Sequence, residues 1–168
     1  DYSPLRSMAS IAIVSIVMAL LLALAEVVGR RRRALDQVGV GDGILVGLAQ
    51  ALALVPGVSR SGSTLTAALL SGWERPAAAR FSFLLGLPAI TLAGLAELKD
   101  ALSEPSAAGP VAMLVGLIAA AVVSWLAIAW LLRYLQRHGT WIFVVYRLIF
   151  GAALLLWLHQ GGAGATVG

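Results

Sequence analysis

Residues Pro56 to Thr64 read P-G-V-S-R-S-G-S-T, a run of turn formers and hydroxyls around a single arginine. Ser59 and Ser61 flank Arg60, and Gly62, Ser63 and Thr64 follow it. Every polar group in the run can donate a hydrogen bond, and no carboxylate is present. Gly57 permits a tight turn and a close backbone approach. Ser59 or Ser61 can cap a helix that starts there, and that helix would aim free N–H groups and its positive dipole end at the same spot. Arg60 adds a planar fork of donors suited to bidentate phosphate binding, and it stays charged at any working pH. Together Arg60, Ser59 and Thr64 with Gly57, Ser61, Gly62 and Ser63 form a candidate phosphate cradle, one that could also stabilise charge on a transferring phosphoryl group. The plainer alternative is a capped helix whose arginine pairs with a buried carboxylate. Capping alone does not require a buried arginine.

The surroundings make this cluster unusual. The chain has 168 residues, 60% of them hydrophobic and 12% charged, with a mean hydropathy of +0.93. Such a composition indicates an all-α polytopic membrane protein. A charge at membrane depth costs on the order of 2.5–3.5 kcal/mol on insertion scales, so it normally has a partner and a purpose. There is no cysteine and there are only two histidines, His138 and His159, so disulfides, thiolate metal sites and a Ser-His-Asp triad lack their parts. The net charge of +4 comes from clustered arginines, a topology signal with no basic, aromatic-interleaved face for nucleic acid.

Four stretches are long enough to span: Met8 to Ala25 extended through Val28, Phe81 to Leu98 with Pro88 inside it, Val111 to Leu132, and Trp141 to Leu158. About 20 residues cross a bilayer core. Between the first and second lie two half-length apolar segments, Ile44 to Val55 and Ser61 to Ser71, separated by Pro56-Gly57. The lengths predict a re-entrant helical hairpin over 44–71 with its tip near mid-membrane, since irregular backbone at that depth must be buried or line a wet cavity. One kinked spanning helix from Gly43 to Leu70 is the alternative. Charge parity supports the hairpin. With Arg30 to Arg33 inside, a hairpin keeps Trp73 to Arg80, Arg133 and Arg137 inside as well, and puts the polar loop Glu97 to Glu104 outside. A full crossing at 43–70 would set these clusters against one another.

Other charges have simpler expected roles. Glu26 is placed to pair with Arg30, one turn on. Arg147, two turns into the last span, either snorkels to the interface or faces inward to support the hairpin. Residues 1–160 are expected to form one integral membrane domain, and 161–168 a Gly-rich flexible tail. Asp1-Tyr2-Ser3-Pro4 lacks the pattern of a signal peptide.

The cradle and its neighbours resemble the bacterial undecaprenyl-diphosphatases, also called bacitracin-resistance proteins. Pro56, Gly57, Ser59, Arg60, Ser61 and Thr64 match that family's P-G-x-S-R-S-x-x-T signature. Gln50 to Leu54, Ala77 to Leu85 with Pro88, and Tyr146-Arg147 also match familial segments. The resemblance implies an integral membrane hydrolase that converts undecaprenyl diphosphate to the monophosphate and recycles the lipid carrier of the cell wall. It implies that Arg60 is an essential diphosphate ligand, with Ser59 and Thr64 lining the same site. It further implies an inverted-repeat fold with two re-entrant hairpins, an active site open to the periplasm, a bacterial inner-membrane location and a divalent cation, Mg or Ca.

One departure is large. The family's earlier repeat, with an E-x-x-x-E motif and a segment carrying serine and histidine, has no match here, so the metal ligands are expected outside this chain. Arg60 cannot serve as a general base, and diphosphate hydrolysis needs an activated nucleophile and a proton donor. The expectation is therefore a C-terminal repeat of a longer enzyme, or one member of a split pair. Its expected partners are the isoprenyl diphosphate substrate, membrane lipid and the missing N-terminal repeat, with a homodimer left open and nucleic acid excluded. The competing function is a half-unit of an inverted-repeat transporter for an anionic lipid or small anion, since helix N-termini facing an anion are transporter architecture too. The S-R-x5-H-x3-D pattern of phosphatidic-acid-type phosphatases fails, because no histidine or aspartate follows Arg60 at that spacing.

Overall fold

The computed structural model describes residues 7–103 and 109–160. The expected loop residues Glu104, Pro105 and Ser106 and the expected tail at 161–168 lie outside them. Six α-helices are described: α1 (Met8–Val28), α2 (Val40–Ala51), α3 (Arg60–Leu70), α4 (Arg75–Ser103), α5 (Gly109–Arg137) and α6 (Trp141–His159). Short 3-10 turns at Leu35–Gln37 and Leu52–Leu54 precede and extend α2. Among the described residues there is no β-strand. Helices α1, α4, α5 and α6 are each long and apolar enough to cross a membrane, and the chain is an all-helical polytopic membrane protein.

Helix α1 is the central strut. It packs along α6 on one side and α3 on the other. Small residues allow the close approach, as in membrane helix pairs generally. A Cβ at Gly151 of α6 would come within 2.6 Å of Ile16 Cγ1 in α1, and one at Gly29 within 2.7 Å of the Leu69 carbonyl at the end of α3. The core that results joins Leu22, Leu65, Leu69, Trp73, Leu135 and Val144.

Helices α2 and α3 pack on each other as the two arms of a hairpin, and Arg33 ties both open ends together. Its guanidinium bonds Asp42, in the first turn of α2, through Nη1 at 2.8 Å and Nη2 at 2.5 Å. Its backbone N–H donates to the Gly72 carbonyl, just beyond α3, at 3.1 Å. The two arms therefore begin and end at one arginine, which is the geometry of re-entry and not of a kinked crossing. The tip reaches the opposite end of α1 from Arg33. A Cβ at Gly57 would meet the Ile11 carbonyl at 2.8 Å, so the tip sits against the first two turns of α1. The 3-10 turn at Leu52–Leu54 supplies the extra reach, at about 2 Å per residue.

A second knot holds the same end of the molecule. Glu26, only 2% exposed, accepts from Arg75 Nε at 2.9 Å and from Arg75 Nη2, and from Thr140 Oγ1 at 2.8 Å. Arg31 adds a contact at 3.4 Å. The end of α1, the start of α4 and the α5–α6 turn are thus one cluster, as the charge parity requires. The expected Glu26–Arg30 pair is replaced by Arg75, 49 residues away, because Arg30 follows the helix C-cap at Gly29 and is no longer on the helical face.

Two further expectations change. Glu97 to Ser103 continue helix α4 instead of forming a loop. Trp73, expected in an interfacial stretch, is 0% exposed and packs edge-on against Phe81 at 5.1 Å between ring centroids. The later half of α4 and most of α5 project away from the core with their apolar side chains exposed.

Candidate functional site

The hairpin tip is built by backbone necessity. Gly57 has φ +94°, in the left-handed region that an L side chain resists, and the nearby Ile11 carbonyl leaves no room for a Cβ. The chain then extends through Ser59, which caps α3: its Oγ accepts from the Gly62 N–H at 3.2 Å. The Ser61 hydroxyl lies 3.3 Å from that of Ser59. The amides of Arg60 and Ser61, in the first turn, have no partner one turn back. An anion would find them open and the helix dipole behind them.

The residues expected in the cradle separate into three groups around this turn. Ser59, Ser61 and Gly62 line a cavity of about 370 Å³, whose other walls are mainly apolar and which also includes Ser82, Tyr146 and Arg147. Arg60 lines a different cavity, of about 450 Å³, with Gly47, Gln50, Leu54 and Ala89. Among the described residues its guanidinium has no hydrogen bond or ion pair, so the carboxylate partner of the simpler alternative is not found there. Ser63 and Thr64 face inward. Ser63 is 3% and Thr64 0% exposed. The Ser63 hydroxyl donates to the Arg60 carbonyl at 2.9 Å, and Thr64 Oγ1 meets that same carbonyl at 3.0 Å and Ser82 Oγ at 2.5 Å. Both brace the first turn of α3 from below and do not open onto either cavity.

Arg147 resolves to the inward alternative. It is 9% exposed, and its Nη2 donates to the Gly57 carbonyl at 2.8 Å. Its Nη1 reaches the start of α3, where a Cβ at Gly62 would lie 2.6 Å from it. A buried charge without a carboxylate is expensive, by several kcal/mol after relaxation. Its sequence signals were its position inside an apolar span, which also fits a snorkelling side chain, and the familial Tyr146-Arg147 segment. Ser82 was legible only as part of the familial segment Ala77 to Leu85.

The other end of the hairpin is held electrostatically. The Asp42 carboxyl is pulled down to about 2 by its bonds to Arg33, helped by the Gly39 N–H, and the same bonds push the Arg33 guanidinium up. As for a metal, among the described residues no three His, Asp or Glu side chains converge on one point. The tip offers guanidinium, hydroxyl and amide donors, which suit anions. The divalent cation implied by the resemblance does not fit this donor set, and no step is derived through it.

A polytopic membrane protein with a donor-lined, carboxylate-free re-entrant tip is what fold and site define. A family model described as "Bacitracin resistance protein BacA" matches residues 2–153, and the chain belongs to that family. Curated relatives agree. The chain is 68% identical over 163 residues to the undecaprenyl-diphosphatase of Synechococcus sp. (strain WH7803), covering 97% of this chain and 57% of the relative. It is 71% identical over 155 residues to that of Synechococcus sp. (strain RCC307), covering 92% and 54%. With the protein of the same name from Prochlorococcus marinus (strain MIT 9303) it shares 68% over 157 residues, covering 94% and 54%. The chain therefore spans a little over half the length of the curated relatives it matches.

Proposed function

We propose that this chain is the phosphate-binding, C-terminal half of an undecaprenyl-diphosphatase of the bacterial inner membrane, with residues 1–160 acting as one integral membrane unit. The observation that carries the reading is the tip itself: an α-helix N-terminus with open amides, a free Arg60 beside it, and no carboxylate among the residues lining the adjoining cavities. The names of relatives with 68% and 71% identity support the substrate.

In this reading Arg60 clamps the diphosphate, and the α3 N-terminus stabilises the charge that develops as the anhydride bond breaks. Both groups are fixed before substrate arrives, so little reorganisation is needed in the transition state. Gly57 lets the backbone turn tightly enough to aim them. The hydrolytic nucleophile, the proton donor and any divalent cation belong to the first repeat. That repeat would also cover part of the exposed faces of α4 and α5. The depth of the tip, against the outer turns of α1, suits a site reached from the periplasmic side.

The test is phosphate release from undecaprenyl diphosphate by the enzyme carrying both repeats, in proteoliposomes. Release of phosphate with formation of the monophosphate supports the reading. Movement of the intact phosphorylated lipid across the bilayer, with no phosphate released, would favour the transporter instead.

A further inference from the structure

Arg147 spends only half of its guanidinium on the protein. Nη2 holds the Gly57 carbonyl at 2.8 Å, while Nη1 is buried with no partner. The residue is 9% exposed, so water does not readily satisfy that nitrogen. A buried cationic donor left unmet is rare in folded proteins and points to a ligand. The nitrogen lies over the first turn of α3, 2.6 Å from where a Gly62 Cβ would stand, and Arg147 is one of the residues lining the cavity that also carries Ser59 and Ser61. No aspartate or glutamate lines that cavity. Beyond this polar end the walls are apolar, formed by residues such as Leu22, Leu65, Leu131, Phe143 and Phe150. Arg60 points into the separate cavity with Gln50.

We propose that Arg147 is a second anion-binding residue: its free Nη1, with the hydroxyls of Ser59 and Ser61, holds the phosphoryl group attached to the lipid. Arg60, on the other side of the same helix turn, is left to hold the terminal phosphoryl group. The apolar part of the cavity takes the first isoprene units. One arginine thus binds what stays on the lipid and the other binds what leaves. That the anion is a phosphoryl group rests on the phosphatase reading above; that an anion binds at Nη1 does not.

The division is tested by the affinity of the two-repeat enzyme for farnesyl phosphate, with farnesol as the uncharged control. Arg147→Lys should weaken farnesyl phosphate binding about ten- to a hundredfold, the range of a charge-assisted hydrogen bond, and leave farnesol binding unchanged. Gly62→Ala leaves Arg147 itself in place but sets a methyl group 2.6 Å from Nη1, so that the guanidinium must give way there. It should weaken farnesyl phosphate binding in the same direction, and it carries the test if Arg147→Lys does not fold. Arg60→Ala should change farnesyl phosphate binding less than about threefold, because the group it binds is absent from that probe. Equal loss of farnesol and farnesyl phosphate in Arg147→Lys would show a purely structural arginine and overturn the proposal. So would unchanged farnesyl phosphate binding in both Arg147→Lys and Gly62→Ala, or an Arg60→Ala loss as large as that of Arg147→Lys. An enzyme that binds farnesyl phosphate through Arg147 yet releases no phosphate from the diphosphate would sink the phosphatase reading and still support this anion site.

Discussion

At one end of the molecule Arg33 and Arg75 are matched by carboxylates; at the hairpin tip Arg60 and Arg147 are not. Arg33 meets Asp42 with two hydrogen bonds, and Arg75 meets Glu26 with two more. The Glu26–Arg75 pair joins segments 49 residues apart, and Arg33 links nearby Asp42 to the distant Gly72 carbonyl. At the tip, Arg147 finds only a carbonyl, and Arg60 finds no partner among the described residues. The same side chain therefore serves two purposes, set by what faces it. A paired arginine closes the fold, and in the proposed reading an unpaired one keeps its donors for a ligand. The membrane sharpens the difference, since an unmatched charge is tolerated there chiefly where function requires it.

The contrast can be broken from its structural side first. Glu26→Ala should destabilise the protein by about 3 kcal/mol, the lower end of the range for orphaning a buried partner, because Arg75 remains 24% exposed. The midpoint of detergent or thermal unfolding measures this, and an unchanged midpoint would mean the cluster is ornamental. Gly57→Ala comes next. A left-handed backbone and a 2.8 Å approach to the Ile11 carbonyl should cost about 1–3 kcal/mol of stability. It should also lower turnover, because the Gly57 carbonyl is the anchor of Arg147. Full activity in a normally stable Gly57→Ala protein would show that the tip geometry is not needed.

The smallest effect is on pH. Asp42 titrates at about 2 in the folded protein and near 3.9 when unpaired. Its contribution is therefore complete above about pH 4 and fades as pH falls toward 2. Protection of the α2 N-terminus from proteolysis should follow that window in wild type and lose it in Asp42→Asn. A wild-type transition centred near pH 6 would implicate another group.

Much of this arrangement was legible in the amino-acid sequence, for local reasons. Helix lengths and the Pro56-Gly57 break gave the hairpin, and Arg30 to Arg33 gave the parity that the Glu26 and Arg33 clusters satisfy. Ser59 as the cap of α3 follows from its residue type and place. What spacing could not supply was long-range pairing. The partner of Glu26 is Arg75, not Arg30 one turn on. Trp73, read as part of an interfacial stretch from Trp73 to Arg80, is instead core, because the α3–α4 turn folds it under Phe81. Thr64 sits in the signature with Arg60, yet its hydroxyl is taken up by the Arg60 carbonyl and Ser82, a partner on another helix that spacing alone does not show. Arg147 had two readings from sequence alone, and only the position of the Gly57 carbonyl separates them.

The central claim is that Arg60 is free for the substrate and has no part in holding the fold. Phosphate release by the two-repeat enzyme carrying Arg60→Ala, measured beside its unfolding midpoint, tests this most directly. The account predicts a loss of kcat/KM of about a hundred- to a thousandfold, as for removal of a preorganised transition-state donor, with Arg60→Lys intermediate and the midpoint of both variants unchanged. Turnover that survives Arg60→Ala, or a loss accompanied by an equal collapse of stability, would contradict it.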